Sequence, residues 1–357
     1  MSTFRVGLET IDRVWPHPDA ERLDLASVKG MSFQFVVLKD KHKAGDRVLY
    51  FPIDSLMPEP LIEKLGLEGR LAGKEKNRLK TIKLRKQISQ GLVSFPKDLG
   101  LSLEQAETLD RKDGLTEHFG VVKFDPPPIP CQNANLIRLP EDVDVYDIEG
   151  ADRYDSVLQK LLPQRVRIAE KLEGTNWSVT VTADGQVMVN QRNHSIAEHD
   201  GKEHFFWKVA REHGWISLAE ELHSQLGQVT LRGEMLGPGV QKNIYKLEDH
   251  CVYLFDILVG TGTNKRYLDA RDYIGITRDR LHGANQRIAP LIATDVVLAD
   301  WLNGRSVQEA SNGKSLLRSK TKREGIVITP MVEQQDPNIG RLILKMRSPD
   351  YLAKSEF

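Results

Sequence analysis

The segment FDPPPIP, Phe124 to Pro130, carries four prolines, and it restricts the fold more than any other stretch. Proline lacks an amide donor and fixes φ, so such a run enters neither a helix interior nor a central strand. The chain is therefore expected to fold as two modules joined here, 1–125 and 126–357. Its length of 357 residues with 40% hydrophobic content is enough to give each module its own core.

Before the prolines, short apolar runs alternate with turn residues: SFQFVVLKD, RVLYFPI, LKTIKLR and GLVSFP. That pattern predicts a small β-rich barrel. Within it, RLAGKEKNRLKTIKLRK, Arg70 to Lys86, holds eight lysines and arginines against Glu75 alone. A charge run is ordinarily a solvated face. Here, however, Thr81, Lys83 and Arg85 would project from one side of an extended strand and Ile82 and Leu84 from the other. Lys80, Lys83 and Arg85 are therefore candidate contacts to nucleic-acid phosphates.

After the prolines the pattern turns mixed α/β. An alternating run from Trp177 to Ala183 meets Asp184-Gly185 and returns as Gln186 to Gln191, a hairpin signal. If Ala183 pairs with Gln186, Arg192 lies across from Trp177, at the same end as Gly174. Helices are expected near His204–His213 and Ser217–Leu226, the second capped by Gly227, with strands at Gln228–Gly233, Val252–Leu258, Gly325–Thr329 and Leu342–Met346. The aromatics of FFWKVAREHGW have helical spacing and are expected to pack rather than to stack on bases.

Several function classes fall away. The two cysteines, Cys131 and Cys251, form no disulfide framework, and no Cys/His cluster has zinc spacing; both read as inert core residues. No apolar run reaches membrane-spanning length. A soluble, cytoplasmic protein is expected, with no membrane partner and a monomeric state. A net charge of +0 argues against a protein that coats nucleic acid along its whole surface.

The chemistry centres on EKLEGTNWS, Glu170 to Ser178. Alone, a lysine before a glycine turn is usually a solvated cation. Yet Glu234, Glu324, Lys345 and Arg347 also fall at or beside strand ends, and Arg192 is brought back by the hairpin. Carboxylates suit a hard cation, and lysine and arginine suit phosphates. Two converging cations call for an anion.

The ordered series KLEG (Lys171 to Gly174), RGE (Arg232 to Glu234), LFDI (Leu254 to Ile257), EGIVI (Glu324 to Ile328) and LKMR (Leu344 to Arg347) resembles the motifs of covalent nucleotidyltransferases, the polynucleotide ligases and capping enzymes. GEMLGPGVQKNIY and KMRSPDYL, behind an N-terminal barrel, resemble more narrowly the nick-sealing RNA ligases with an N-terminal OB domain. HPDAERLDLASVKG, His17 to Gly30, is similar to tRNA-binding OB modules. The resemblance implies an α+β chain: an OB-like β-barrel, then an ATP-grasp-like adenylation domain with antiparallel sheets and flanking helices.

By that resemblance Lys171 attacks the α-phosphate of ATP to give lysyl-AMP, AMP passes to a 5′-phosphate, and a 3′-OH displaces it. The attacking amine must be neutral, far from lysine's free pKa of about 10.4; Lys345, Arg347 and a divalent metal, Mg2+ or Mn2+, are expected to help. Glu170 and Asn176 would meet the adenosine, Gly174 would let the backbone turn beside it, and Arg192 would touch nucleotide or RNA. Glu234 would bind ribose or metal, and Glu324 the metal. Phe255 would stack on adenine, with Tyr253 on the same strand face as substitute. Lys345 and Arg347 would hold the α-phosphate. The implied partner is RNA, or an RNA-containing duplex with a nick. Two rivals are GTP-dependent capping, disfavoured by the N-terminal barrel and Thr175-Asn176, and a non-catalytic RNA-binding protein.

Overall fold

A computed structural model describes residues 4–125, 136–198, 203–281 and 285–355. Most of the proline run, and Cys131, lie outside the described residues. The chain forms two compact units: Met1–Pro126 with Glu149–Leu158 and Leu352–Phe357, and Pro127–Ile148 with Gln159–Tyr351.

In the first unit β1 (Gly7–Pro16), β2 (Leu23–Val28), β3 (Phe35–Leu38) and β4 (Arg47–Phe51) precede a short hairpin, β5 (Ile82–Leu84) and β6 (Gln87–Ser89), and then β7 (Leu92–Ser94). The antiparallel order is β3-β2-β1-β4-β7. β1 pairs with β4 through Gly7–Thr10 and with β2 beyond Ile11, where a bulge lies between Ile11 and Arg13. One strand serving both halves of a sheet is how a short sheet curls towards a barrel. Alternation along β4 sends Val48 and Tyr50 into one core with Phe33, Phe35 and Val93, and Leu49 and Phe51 into another with Met57, Leu61 and Ala106. Both faces of the strand are therefore covered.

The basic stretch departs from expectation. β5 pairs only with β6 in its own two-stranded sheet and ends at Leu84. Arg85 and Lys86 have φ of 44° and 73°, the double left-handed geometry of a tight two-residue hairpin turn. Arg85 is thus a turn residue, and its guanidinium donates to the Asp19 carbonyl at 3.2 Å. Thr81 is buried, while Ile82 and Leu84 are 46% and 37% exposed. The face expected to be apolar and inward is the exposed one.

The second unit is built on two large, mainly antiparallel sheets. The strands that frame the site, in chain order, are β8 (Arg165–Lys171), β9 (Thr175–Val181), β10 (Val187–Asn190), β11 (Val229–Leu236), β12 (Cys251–Val259), β13 (Arg287–Ile288), β14 (Leu291–Val297), β15 (Gly325–Pro330) and β16 (Leu344–Arg347), and short strands extend the sheets at their edges. One sheet runs β10-β9-β11-β12, with β13 parallel to β12; the other runs β16-β15-β8-β14. Helices Phe205–Glu212 and Trp215–Leu226 cover the first sheet. Phe206, Trp207, Trp215, Leu218 and Leu222 pack there on Trp177, Val179 and Leu231, so the helical aromatics are core residues. Cys251 is likewise buried.

The hairpin register differs from expectation by one residue. The pairs are Val181–Val187 and Ser178–Asn190, so Gln191, not Arg192, comes level with Trp177. The loop is three residues rather than two: Thr182 receives Gly185 N–H and donates to the Gln186 carbonyl, each at 2.9 Å, with Gly185 at φ 84°. A type I turn closed by a left-handed glycine adds one residue to one strand.

Candidate adenylylation site

β8 carries Lys171 as its last residue. Alternation places Arg167, Ala169 and Lys171 on one face, and antiparallel pairing with β15 sets them opposite Thr329, Val327 and Gly325. β15 in turn pairs Val327 with Lys345 and Gly325 with Arg347. All of these except Gly325 and Arg347 line one cavity of about 250 Å3, together with Asn176, Glu234 and Phe255 from the other sheet. The cavity therefore has a wall from each sheet.

Two glycines let the strands close up. A Cβ on Gly174 would lie 2.4 Å from the Met235 carbonyl oxygen and 2.7 Å from Glu234 Cγ. Glycine at 174 is thus required by close approach to β11. A Cβ on Gly325 would lie 2.0 Å from the Met346 carbonyl oxygen, so β16 also needs glycine beside Glu324.

Lys171 Nζ lies 2.7 Å from Glu324 Oε1. Burial pushes the Glu234 carboxyl up to about 7, Lys171 opposes that shift, Glu324 adds to it, and the Gly174 amide lowers it by hydrogen bonding. Glu170 is buried and its pKa is raised by that burial, against hydrogen bonds from Ser315 and the Leu316 amide, the latter at 2.7 Å. Glu324 Oε2, Asn176 Oδ1 and Glu170 Oε1 are buried with no hydrogen-bond partner among the described residues. Unsatisfied buried acceptors carry a desolvation cost, and a hard cation or ligand hydroxyls and amines would relieve it. Among the described residues no cluster of three His, Cys, Asp or Glu could enclose a metal. Glu234 and Glu324 therefore fit a cation that keeps water or phosphate oxygens in its shell.

The remaining expected residues are placed as follows. Arg192 and Lys345 line the cavity, and both meet Asp147, at 3.2 and 3.6 Å. The anion that converging cations call for is thus supplied internally, by Asp147 and Glu324. Phe255 lines the cavity from a bulge: Arg232 pairs with Asp256 and Gly233 with Leu254, leaving Phe255 unpaired between them. Bulges re-aim side chains beside sites, and Tyr253, although Phe255 touches the same apolar cluster, does not line the cavity. Tyr253 packs with Leu172, Leu236 and Tyr245 and accepts from Arg287 at 3.1 Å. Arg347 is half-buried and does not line the cavity.

Four neighbours went unanticipated. Tyr146 lies with its ring 5.0 Å from Phe255 and donates to Asp256 at 2.8 Å. Asp147 faces both Arg192 and Lys345. Arg167, buried over the Tyr273 ring at 4.3 Å, donates to the Phe255 carbonyl at 3.1 Å; its spacing of two and four residues from Ala169 and Lys171 was a readable signal. Glu173 ties the lysine turn down, accepting from Tyr351 at 2.6 Å and from the Lys242 amide at 3.3 Å, while its own amide donates to Tyr245 at 2.9 Å. Burial, then the nearby Glu324 and Glu173 carboxylates, push the pKa of the Tyr351 hydroxyl upward.

A family model described as RNA ligase matches residues 164–347, and an OB-fold domain model matches 5–96. No curated protein matches the chain. Among solved structures, the chain is similar to an RNA ligase of Naegleria gruberi with pyrophosphate, at TM-score 0.80 and 25% identity over 99% of each chain. A mutant of that ligase with ATP and Mn matches at 0.79 and 24% over 99% of each, and another with AMP and Mn at 0.79 and 24% over 98% of each.

Proposed function

The chain belongs to the RNA ligase family, and from that premise we propose that it uses ATP to join 3′-OH and 5′-phosphate ends at nicks in RNA-containing duplexes. Lys171 Nζ attacks the α-phosphorus, the bond to the β-phosphate oxygen breaks, and pyrophosphate leaves. A 5′-phosphate oxygen then takes the adenylyl group and frees the lysine, and a 3′-OH displaces AMP to form the phosphodiester. The observation that carries this reading is Lys171 Nζ, 2.7 Å from Glu324 in a cavity shared with Glu234, Phe255, Arg192 and Lys345.

The residues divide the work by chemistry. Phe255 offers a ring face for adenine, and Glu170 and Asn176 offer buried acceptors to the nucleoside. Arg192 and Lys345 are the cations for phosphates, Arg192 able to bind in a fork and Lys345 as a point charge. Arg347, on the same strand face as Lys345 but outside the cavity lining, acts on incoming phosphate from the rim. Glu324 and Glu234 would hold the divalent cation, which when bound supplies positive charge against the α-phosphate. Likeness to ligase structures holding ATP, AMP and Mn supports that choice of nucleotide and metal.

In the first unit Lys80, Lys83 and Arg85 are proposed phosphate contacts, with Arg85 partly committed to holding the hairpin turn against Asp19. No helix among the described residues is long and apolar enough to cross a membrane, and we place the protein in the cytoplasm as a monomer. Incubation with α-labelled ATP and a divalent cation tests the central step. Covalent label is expected on the unaltered protein and not on Lys171→Ala; label on both, or on neither, rejects the reading. The same assay with GTP separates ligation from capping.

A further inference from the structure

Beyond the cavity, two loops of the second unit converge on the strand that carries Lys171. One spans 237–250, between β11 and β12; the other spans 312–324, ahead of β15. They are joined where Arg318 and the Thr321 hydroxyl both donate to the Ile244 carbonyl, at 3.3 and 3.2 Å. Both are anchored to residues flanking Lys171. The Leu316 amide donates to Glu170, and Leu317 packs on the cluster around Leu172 and Tyr245. The first loop reaches Glu173 through Lys242 and Tyr245.

The second loop is basic in sequence. Residues 312–323 include five lysines and arginines and no acid. Three of the five are engaged locally: Arg323 donates to three carbonyls, Lys322 pairs with Asp350 at 2.8 Å, and Arg318 holds the Ile244 carbonyl. Backbone alternation buries Ser315 and turns Lys314 and Leu316 outward, Leu316 being 58% exposed. Lys320, Lys242 and Lys246 are exposed as well. The acids of the first loop, Glu248 and Asp249, follow Lys246 at the entry to β12. The loop is held in an unusual backbone: Gln241, Asn243 and Lys246 all have positive φ, at 45°, 41° and 57°. Asn243 fixes it by bonding the Leu247 amide and carbonyl at 3.0 and 2.9 Å. Strained non-glycine backbone persists where the surroundings over-determine it, commonly at ligand-binding positions.

We propose that Lys246, Lys314 and Lys320 form a phosphate-backbone contact surface for the polynucleotide whose end is delivered to Lys171, with Leu316 lying against a sugar or base face. The proposal rests on the ligase reading for the identity of the polyanion. Exposed lysines on a fixed loop suit phosphates without reading sequence, and anchorage at Glu170 and Glu173 ties an occupied surface to the lysine turn.

The test is the salt dependence of binding to a nicked RNA duplex, measured without ATP, for the unaltered protein and for Lys314→Ala/Lys320→Ala. Each lost phosphate contact lowers the log–log slope by about 0.9, so the double variant should lose about 1.8. Across a fourfold rise in salt, its affinity should then fall roughly 12-fold less than that of the unaltered protein. Self-adenylylation without RNA should be unchanged. A control, Lys64→Ala/Lys112→Ala in the first unit, should keep the original slope. An unchanged slope in the loop variant, an equal drop in the control, or no RNA binding by the unaltered protein overturns the proposal. Failure to form the lysine adenylate would instead reject the ligase reading, and the slopes would still decide the surface.

Discussion

Asp147→Asn should improve nucleotide binding. The Asp147 carboxylate lies 3.2 Å from Arg192 and 3.6 Å from Lys345, so phosphates using those cations must first displace it. The three side chains are between 29 and 33% exposed, and ion pairs so open to solvent contribute roughly 0.2–1 kcal/mol each. Together the two pairs oppose binding by about 0.4–2 kcal/mol. Asparagine keeps the shape and one acceptor but not the charge. At about 1.4 kcal/mol per factor of ten, the KM for ATP in self-adenylylation should fall roughly 2- to 30-fold. The maximal rate should hold, because Lys171, Glu324 and Glu234 are untouched. Initial rates of label transfer over a range of ATP concentrations, without RNA, give both quantities. A KM that stays or rises refutes the reasoning, since Asp147 would then be orienting the two cations rather than competing for them.

Two further outcomes concern the lysine turn. Burial raises Glu234 from 4.5 to about 7, so the folded state holds a proton that the unfolded chain releases between those values. The resulting stability is whole below the unfolded pKa and is lost as pH rises through the folded one. Allowing for its partial exposure this amounts to about 1–3 kcal/mol, so in chelator Glu234→Gln should lose less stability than the unaltered protein between about pH 5 and pH 8; equal losses in urea melts would count against a buried charge. Gly174→Ala drives a methyl to 2.4 Å from the Met235 carbonyl, and should cost about 1–3 kcal/mol of stability and most of the labelling. Wild-type melting and full labelling would show that β9 can move aside.

The sequence is most readable where a strand pattern ends in a charged residue. Lys171, Glu234, Glu324 and Lys345 all sit on or beside strands with clear alternation, and their order survives any small error of register. Asp184-Gly185 announced a turn, yet composition alone does not separate a two-residue loop from a three-residue one, and Arg192 moved by one position. Phe255 depends on a bulge opposite Gly233, and bulges leave period-2 patterns looking intact. Tyr146 and Asp147 come from a segment with neither helical nor strand period, and only folding brings them to the cavity. The basic run departs differently: Ile82 and Leu84 alternate correctly, but β5 belongs to a two-stranded hairpin that leaves both of them exposed, so alternation did not report burial.

These misses bear on how the site takes a ligand. Cations and carboxylates grouped in a partly buried cavity would be costly if unpaired, and here they are paired with one another, Lys171 with Glu324, and Arg192 and Lys345 with Asp147. A triphosphate alone can recruit Arg192 and Lys345 but leaves Glu324 holding Lys171. A divalent cation alone can take Glu324 but leaves the two phosphate cations with Asp147. Supplying both charges together exchanges every pair at once, so nucleotide and metal should bind with positive coupling, each raising the other's affinity by the same factor. An α,β-methylene ATP analogue keeps Lys171 in place without reaction. Its affinity, titrated calorimetrically with and without Mn2+, should rise by about tenfold or more with the metal, a coupling of roughly 1.4 kcal/mol. Beyond the coupling that the free analogue and metal show in solution, independence of the two affinities would mean that Glu324 and Glu234 do not share the metal's charge with the phosphates.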